Sequence, residues 1–319
     1  MQRKIQLACP APAGSTQGNR VTALRWARFL RELGHRVSLA PTLEGSPDLM
    51  IALHARRSAP AALEFKRRFP DRPLIVALTG TDLYRDLPRK NRAAEQSLAI
   101  ADLLIVLHEG ARSELAPAAR KKARVVRQSV RLPKGLKRKR SAHFEVGVLA
   151  HLRAIKDPLR TALAARQLPE ESRIRVRHLG RALDKRLTER AERETLANAR
   201  YEWLGERGHP AALRLLSSCQ LLVLSSRMEG GANVIGEAAS LGVGILASDV
   251  PGNRGLLGAR HPGFFEYGKT EELASLLSRA EHDKEFHARL LATSKRIAPE
   301  FTVQRERATW RAVCAEAGL

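Results

Sequence analysis

Glu229 and Glu237 are separated by seven residues, and Gly230, Gly231, Ala232 and Asn233 follow the first of them directly. An apolar run at 221–224 comes before and an amphipathic run at 232–241 after, which reads as a buried strand, a Gly-rich turn and a helix. The first N–H groups of a helix lack intrahelical partners and carry positive partial charge, so such a turn suits a phosphate or diphosphate. Glycines at 230 and 231 let a ligand approach the backbone closely. One carboxylate can then grip hydroxyls beside the phosphates, and the other can reach a diol on the nucleoside side. A second segment, FEVGVLAHLRAIKDP over 144–158, places Arg153 and Lys156 just past another apolar strand. Two cations at a strand end facing a helix N-terminus can neutralise a nucleoside diphosphate as it leaves.

Further polar groups stand at strand ends in the N-terminal half. The first strand, 5–9, runs into PAPAGSTQGNR, where Gly14 and Gly18 shape a turn, Asn19 and Arg20 follow it, and Val21 opens a helix. These two either face a ligand or belong to a plain loop with a capped helix. The third strand, 49–53, leads into LHARRSA and so sets His54, Arg56 and Arg57 at the C-terminal edge of a sheet, where ligands of open α/β folds bind. His54 reads alternatively as a hydrogen-bonded structural histidine. The fourth strand, 74–78, is followed by Thr79, Thr81 and Asp82 in LTGTDLYRD. Asp82 is either a carboxylate available to deprotonate an acceptor or a helix cap.

The elements that must position these residues alternate along the whole chain. Strands are expected at 5–9, 37–40, 49–53, 74–78, 103–107 and 124–127, with helices at 21–33, 59–69, 91–101 and 110–116 between them. A second series has strands at 144–150, 174–179, 201–204, 221–225 and 244–247, and helices at 158–166, 185–198, 210–218, 232–241, 270–282 and 284–298. Several strands are apolar on both faces, as in a parallel sheet covered by helices on both sides. The expected fold class is therefore α/β, with two doubly wound domains in tandem. A length of 319 residues fits that division.

The composition has one unusual figure, a net charge of +23 from 56 Lys+Arg against 33 Asp+Glu. So basic a chain should meet something anionic: nucleic acid, an anionic membrane, or phosphorylated small molecules. Segment 120–140 holds eleven Lys/Arg and no acid. It reads as a polyanion-binding arm or as a last strand followed by a solvated linker, and the aromatic interleaving that stacks bases is missing there. Three cysteines, Cys9, Cys219 and Cys314, are too few and too scattered for a disulfide framework or a zinc site. No apolar run approaches the length of a membrane span, no basic amphipathic helix stands out, and the N-terminus reads as a first strand rather than a signal peptide. A cytoplasmic location is expected. No D-x-D occurs in the chain, so a divalent metal bound in that manner is not expected.

Glu229-x7-Glu237 with its strand, turn and helix, the trailing EAASLGVGILAS and the PGN of 251–253 resemble the donor site of GT-B glycosyltransferases of family 4. FEVGVLAHLRAIKDP resembles that family's strand and its diphosphate-clamping Arg and Lys. The resemblance implies two Rossmann-like domains facing a central cleft: an acceptor domain at 1–138, onto which a C-terminal helix at 303–319 packs back, and a nucleotide-sugar donor domain at 139–302. It implies that Glu229, Arg153 and Lys156 are catalytic. Gly14, Gly230, Gly231, Ala232, Asn233 and Glu237 would bind the donor, with the amides of 231–233 on the diphosphate and Glu237 on the ribose. In LTGTDLYRD the sequence departs from the family, because Thr79 stands where many members carry a histidine while Gly80 and Asp82 remain.

A narrower resemblance joins PAPAGSTQGNRVTALRWA, IALHARRSA, ALTGTDLYRD, HLRAIKDP and LSSRMEGGANV to the selenosugar synthases of selenoneine biosynthesis. It implies a metal-independent transfer from a UDP-sugar, such as UDP-N-acetylglucosamine, to selenophosphate. An upstream selenophosphate-producing enzyme and a downstream selenoneine-forming enzyme would be partners, and no nucleic acid or cofactor is implied. Selenium in selenophosphate is already nucleophilic, so its site needs cationic positioning and little general-base help. Asn19, Arg20, His54, Arg56, Arg57, Thr79, Thr81 and Asp82 are the acceptor-binding candidates. A hydroxyl acceptor would call for a positioned base instead. A nucleic-acid-binding protein on a degenerate GT-B scaffold is a further alternative, with steep salt dependence as its mark.

Overall fold

The computed structural model describes residues 2–15, 18–136 and 141–319. The domain boundary expected at 138/139 and the end of the basic segment, 137–140, lie outside the described residues. The chain forms two compact units, Met1–Ser129 with Val303–Leu319, and Val130–Thr302.

In the first unit the order is β1 (Lys4–Ala8), α1 (Gly18–Glu32), β2 (Arg36–Ala40), β3 (Leu49–Leu53), α2 (Ala59–Arg68), β4 (Leu74–Ala77), α3 (Arg92–Ile100), β5 (Leu103–Val106), α4 (Glu109–Ser113), α5 (Pro117–Lys122) and β6 (Ala123–Val125). Its six strands are all parallel and stand in the order β2-β1-β3-β4-β5-β6. Strands β3, β4 and β5 are buried at every residue, which is why their sequences are continuous apolar runs. Each fully buried Leu or Ile contributes about 1.5–3 kcal/mol through removal from water.

The second unit contains β7 (Phe144–Leu149), α6 (Arg160–Ala165), β8 (Ile174–Leu179), α7 (Lys185–Ala197), β9 (Tyr201–Trp203), α8 (His209–Ser218), β10 (Leu221–Leu224), α9 (Asn233–Leu241), β11 (Gly244–Ser248), α10 (Pro251–Leu257), β12 (Phe264–Phe265), α11 (Thr270–His282) and α12 (Lys284–Ile297). Its sheet is also six-stranded and parallel, in the order β12-β11-β10-β7-β8-β9. Both sheets are doubly wound. Connections run outward in opposite directions from β1 and β3 in one unit and from β7 and β10 in the other. That divergence opens a crevice at the C-terminal ends of the central strands.

Several elements depart from the sequence expectation. The last strand of the unit, expected at 124–127, is β6 at Ala123–Val125, and the start of the basic segment, 120–122, forms the last turn of α5, which begins at Pro117 with its fixed helical φ. A turn of π-helix runs over Asp82–Asp86. Helix α10 and the two-residue β12 were not expected, and β12 pairs only with Ala247 and Ser248 of β11, too short a stretch for any period to show.

The last helix, α13 (Val303–Glu316), completes the first unit. Trp310 meets Trp26 of α1 edge-on, with ring centroids 4.9 Å apart. Glu306, also on α13 and 2% exposed, accepts the indole N–H of Trp26 at 3.1 Å, and the Ser129 backbone N–H and hydroxyl at 2.6 and 2.5 Å. Burial pushes its carboxyl above the ordinary 4.5, against the opposing pull of Arg25 and these hydrogen bonds. The native state then holds a proton that the unfolded chain has released, so this group's contribution to stability declines as pH rises from 4.5 through the raised folded value, and levels beyond it. Glu306→Ala leaves three buried donors without this acceptor, at about 1–3 kcal/mol for each that stays unpaired. Urea unfolding should show that loss near pH 7, together with a flatter dependence of stability on pH above 4.5.

Candidate functional site

The central crevice of the second unit gathers the residues that the sequence singled out there. Strand β7 ends at Leu149 and leads through Arg153 into a short 3-10 turn, Ala154–Lys156. Strand β10 ends at Leu224 and leads through Ser225 and Ser226 to Glu229. The two loops are joined by backbone and side-chain bonds. Arg227 N–H donates to Ile155 O at 2.9 Å, and Ser225 Oγ donates to Asp157 O at 2.7 Å. Asp157 has φ 43°, a left-handed conformation that reverses the chain after Lys156. Its carboxylate accepts from Arg160 Nε at 2.8 Å, and Arg160 is anchored in turn on Thr270 at 2.6 Å. So fixed, Lys156 donates to Glu229 Oε1 at 2.6 Å. Arg153 is exposed, and its guanidinium makes no hydrogen bond or ion pair among the described residues.

Glu229 is held from behind by close backbone packing. A Cβ on Gly252, the second residue of α10, would lie 1.9 Å from Glu229 O. The same turn is fixed by Asn253, fully buried, whose amide donates to Ser248 O at 2.9 Å, while Ser248 Oγ donates to Ser226 O at 2.5 Å. Beyond Glu229, Gly230 and Gly231 are half-buried and neither has a positive φ, so small size rather than backbone freedom is what they supply. Ala232 precedes α9 and offers no side-chain cap to its first turn, which begins at Asn233. Glu237, one turn further on, is buried and bonded at 2.8 Å to His209 at the start of α8.

Below the crevice, His178 on β8 steadies the strand end that feeds this loop. Ala150 O can only accept, so His178 Nε2 carries the proton and donates to it at 2.8 Å, while Nδ1 accepts from the Tyr201 hydroxyl at 2.8 Å. Burial holds the imidazole neutral, with its pKa down at about 4.

In the first unit the candidates form two sets, at the ends of β1 and of β3 and β4. At the end of β1, Cys9 Sγ lies 3.7 Å from Asn19 O, and the Arg20 guanidinium lies against the same thiol, opposing burial, which raises the thiol pKa. Gly14 is exposed in this loop at φ 76° with open space around its Cα. At the end of β3, His54 is 2% exposed and adopts φ 75°, a strained setting of the kind that clusters at functional sites. Its Nε2 lies 2.8 Å from Thr81 Oγ1 and its Nδ1 3.8 Å from Asp82. Burial lowers its pKa, with Asp82 pulling the other way.

Two of the acceptor-binding candidates are enclosed in this geometry. Asp82 is fully buried and accepts from four backbone N–H groups, those of Ala55, Thr79, Gly80 and Leu83, so it organises the loops after β3 and β4 and presents no oxygen to a ligand. His54 is likewise enclosed, with its ring engaged on Thr81. Thr79 and Thr81 are half-buried, Arg57 is exposed, and Arg56 is anchored by an ion pair to Asp86 at 2.8 Å.

Asp86 also pairs with Arg85 at 3.0 Å, through its other oxygen. One carboxylate thus sets two guanidinium groups side by side, and their pull outweighs burial to hold its pKa below the ordinary value of 3.8. Neither Arg85 nor Asp86 was singled out in the sequence, nor was His209. The signal for the first two was faint, an Asp four residues after Asp82, and it acquires meaning only through the π-helical turn that buries both carboxylates.

The fold assembled from these units is the GT-B fold, as comparison with solved structures makes plain. The chain is similar to Anabaena HepE in complex with UDP, with a TM-score of 0.78, 16% identity, and 99% of this chain and 100% of that chain covered. It is similar to sucrose-phosphate synthase from Thermosynechococcus elongatus, at TM-score 0.77 and 15% identity, with 99% of each chain covered. A glycosyltransferase from Rickettsia africae gives TM-score 0.76 and 11% identity over 99% of this chain and 98% of that chain. Residues 137–296, half of the chain, match the glycosyl transferases group 1, and the chain belongs to that family of enzymes. None of the curated proteins compared matches it.

Because Gly252 admits no Cβ without moving the Glu229 carbonyl, Gly252→Ala should displace Glu229. A loss of at least about tenfold in sugar transfer is expected with secondary structure retained by circular dichroism, in line with the sensitivity of catalysis to ångström misplacements.

Proposed function

We propose that the chain transfers a sugar from a UDP-sugar, such as UDP-N-acetylglucosamine, to selenophosphate, forming a C–Se bond. The reaction is a displacement at the anomeric carbon. A selenium lone pair attacks C1, the C1–O bond breaks, and its electron pair leaves on the β-phosphate of UDP. No oxidant, reductant or protein-derived proton enters the balance. The phosphoryl group stays on selenium through this step.

The donor half of the reading rests on the crevice of the second unit. Arg153, Lys156 and the uncapped start of α9 supply positive charge for a diphosphate, Glu229 supplies a carboxylate for sugar hydroxyls, and Glu237 one for the ribose. HepE, of the same fold, has been observed with UDP and with UDP-glucose. The acceptor half rests on one observation. Beside the end of β3, Arg56 and Arg85 share Asp86 and Arg57 stands exposed, while the nearby histidine and Asp82 are buried and engaged. That is a cationic seat without a ready base, which fits an anion that is already a nucleophile and fits poorly an alcohol that must lose a proton.

Incubating the protein with UDP-N-acetylglucosamine and selenophosphate should release UDP and yield a selenosugar mass, and neither should appear without enzyme. Turnover with alcohols and indifference to selenophosphate would reassign the acceptor within the same family. The transfer should survive excess EDTA if, as proposed, Arg153, Lys156 and the start of α9 balance the diphosphate without a metal.

Asp86→Asn should free the two arginines. The expected result is an increase of about fivefold or more in the KM for selenophosphate with the KM for the UDP-sugar little changed, the scale of one charge-assisted contact. Equal effects on both substrates would count against an acceptor role for that cluster.

A further inference from the structure

The lysine assigned to the diphosphate is engaged by a carboxylate of the same crevice. Lys156 Nζ lies 2.6 Å from Glu229 Oε1, with side-chain exposures of 30% and 8%. This is not a chance meeting of two loose side chains. The backbone at Lys156 is fixed by Ser225 and by the Arg227–Ile155 bond, and Glu229 is fixed by the close approach of Gly252. Arg153, by contrast, is exposed and makes no hydrogen bond or ion pair among the described residues. The two cations are therefore not equivalent before a ligand arrives.

We infer that the Lys156–Glu229 pair competes with the nucleoside diphosphate for Lys156, and that an intact sugar donor disarms this competition whereas the product UDP does not. The inference rests on the donor assignment proposed above. When UDP-sugar binds, the diphosphate takes the ammonium while sugar hydroxyls take the carboxylate, so both partners of the broken pair are satisfied. UDP alone takes the ammonium and leaves a largely buried carboxylate without a cation, which is unfavourable. The same two residues thus weaken the hold on product relative to donor. Once the sugar has left, Glu229 recaptures Lys156 and helps expel UDP. A lysine suits this exchange better than an arginine, since its ammonium is a compact charge with freely rotating donors that can pass between a carboxylate and a phosphate.

Calorimetric titration of UDP and of a non-transferable UDP-sugar analogue into the wild type, Glu229→Gln, Lys156→Met and the double variant tests this directly. Glu229→Gln should bind UDP roughly three- to tenfold more tightly, the range of a partly exposed ion pair. It should bind the sugar analogue no more tightly than the wild type does. In the Lys156→Met background, adding Glu229→Gln should leave UDP affinity unchanged, because there is no lysine to compete for. Unchanged or weaker UDP binding by Glu229→Gln overturns the inference. So does a tightening that persists without Lys156, which would mean simple repulsion between carboxylate and diphosphate. A wild type that binds UDP while failing these comparisons leaves the donor reading standing; a wild type that binds neither ligand removes that reading as well. Thermal unfolding of each variant checks that the fold is retained, and Glu229→Ala gives a second removal of the charge.

Discussion

A parallel sheet covered on both faces leaves no room for polar chemistry along its strands, and this constraint organises both units. Strands such as β3, β4, β5 and β10 are buried at every position, so any side chain that is to meet a charged ligand must come from a loop at a strand end. Among those loops, only the ones at the point where connections diverge stand clear of a crossing helix. In the second unit that point lies between β7 and β10, and the residues beyond these two strands include Arg153, Lys156 and Glu229. In the first it lies between β1 and β3, followed by Asn19 and Arg20 and by His54, Arg56 and Arg57. Topology selects the candidate residues before any argument about their chemistry.

The same constraint explains what could be read without a structure. Burial on both faces writes itself as a short apolar run in Leu49–Leu53, one-sided burial as the alternation of Ile174–Leu179 and as the helical period of Thr270–His282, and all three are legible to the residue. Phe264–Phe265 is not, because two residues carry no periodicity and that strand exists only through pairing with β11. The π-helical turn at Asp82–Asp86 is not legible either. It depends on Asp82 collecting backbone N–H groups from both sides of the β4 loop and from Ala55, a three-dimensional coincidence that no local spacing announces.

For the candidate site, residue types were legible and their pairings were not. A Gly-rich turn between two glutamates is a local pattern, and so is a cation pair after a strand. That Lys156 bonds Glu229 across 73 positions, that His209 bonds Glu237 across 28, and that Asp86 gathers Arg56 across 30 are consequences of the sheet order. Local sequence also could not tell an available carboxylate from an engaged one. Asp82 and Glu229 are both buried acids at strand ends, yet one is saturated by backbone N–H groups while the other accepts from a single ammonium. Only the second can exchange its partner without dismantling a loop.

The net charge of +23 has a structural explanation as well as a functional one. Many of the cations act as caps for carbonyls left over at helix ends and turns, where backbone groups lack partners and the helix dipole favours positive charge. Arg120 donates to the carbonyls of Arg112, Ser113 and Leu115, and Lys122 to those of Ala99 and Ala101. Arg200 does the same at Pro169 and Glu170, and Arg296 at Leu257. The basic segment that begins at 120 is therefore tied into the first unit at Arg120, Lys122 and Arg124, the last of which pairs with Glu316 of α13. A cation bonded to several carbonyls is held in place, and moving it onto a nucleic-acid phosphate would strand those oxygens. For the residues so bonded the positive charge serves the fold itself, by completing helix ends and turns. Arg57 and Arg153, by contrast, are exposed beyond strands where the connections of the two sheets diverge.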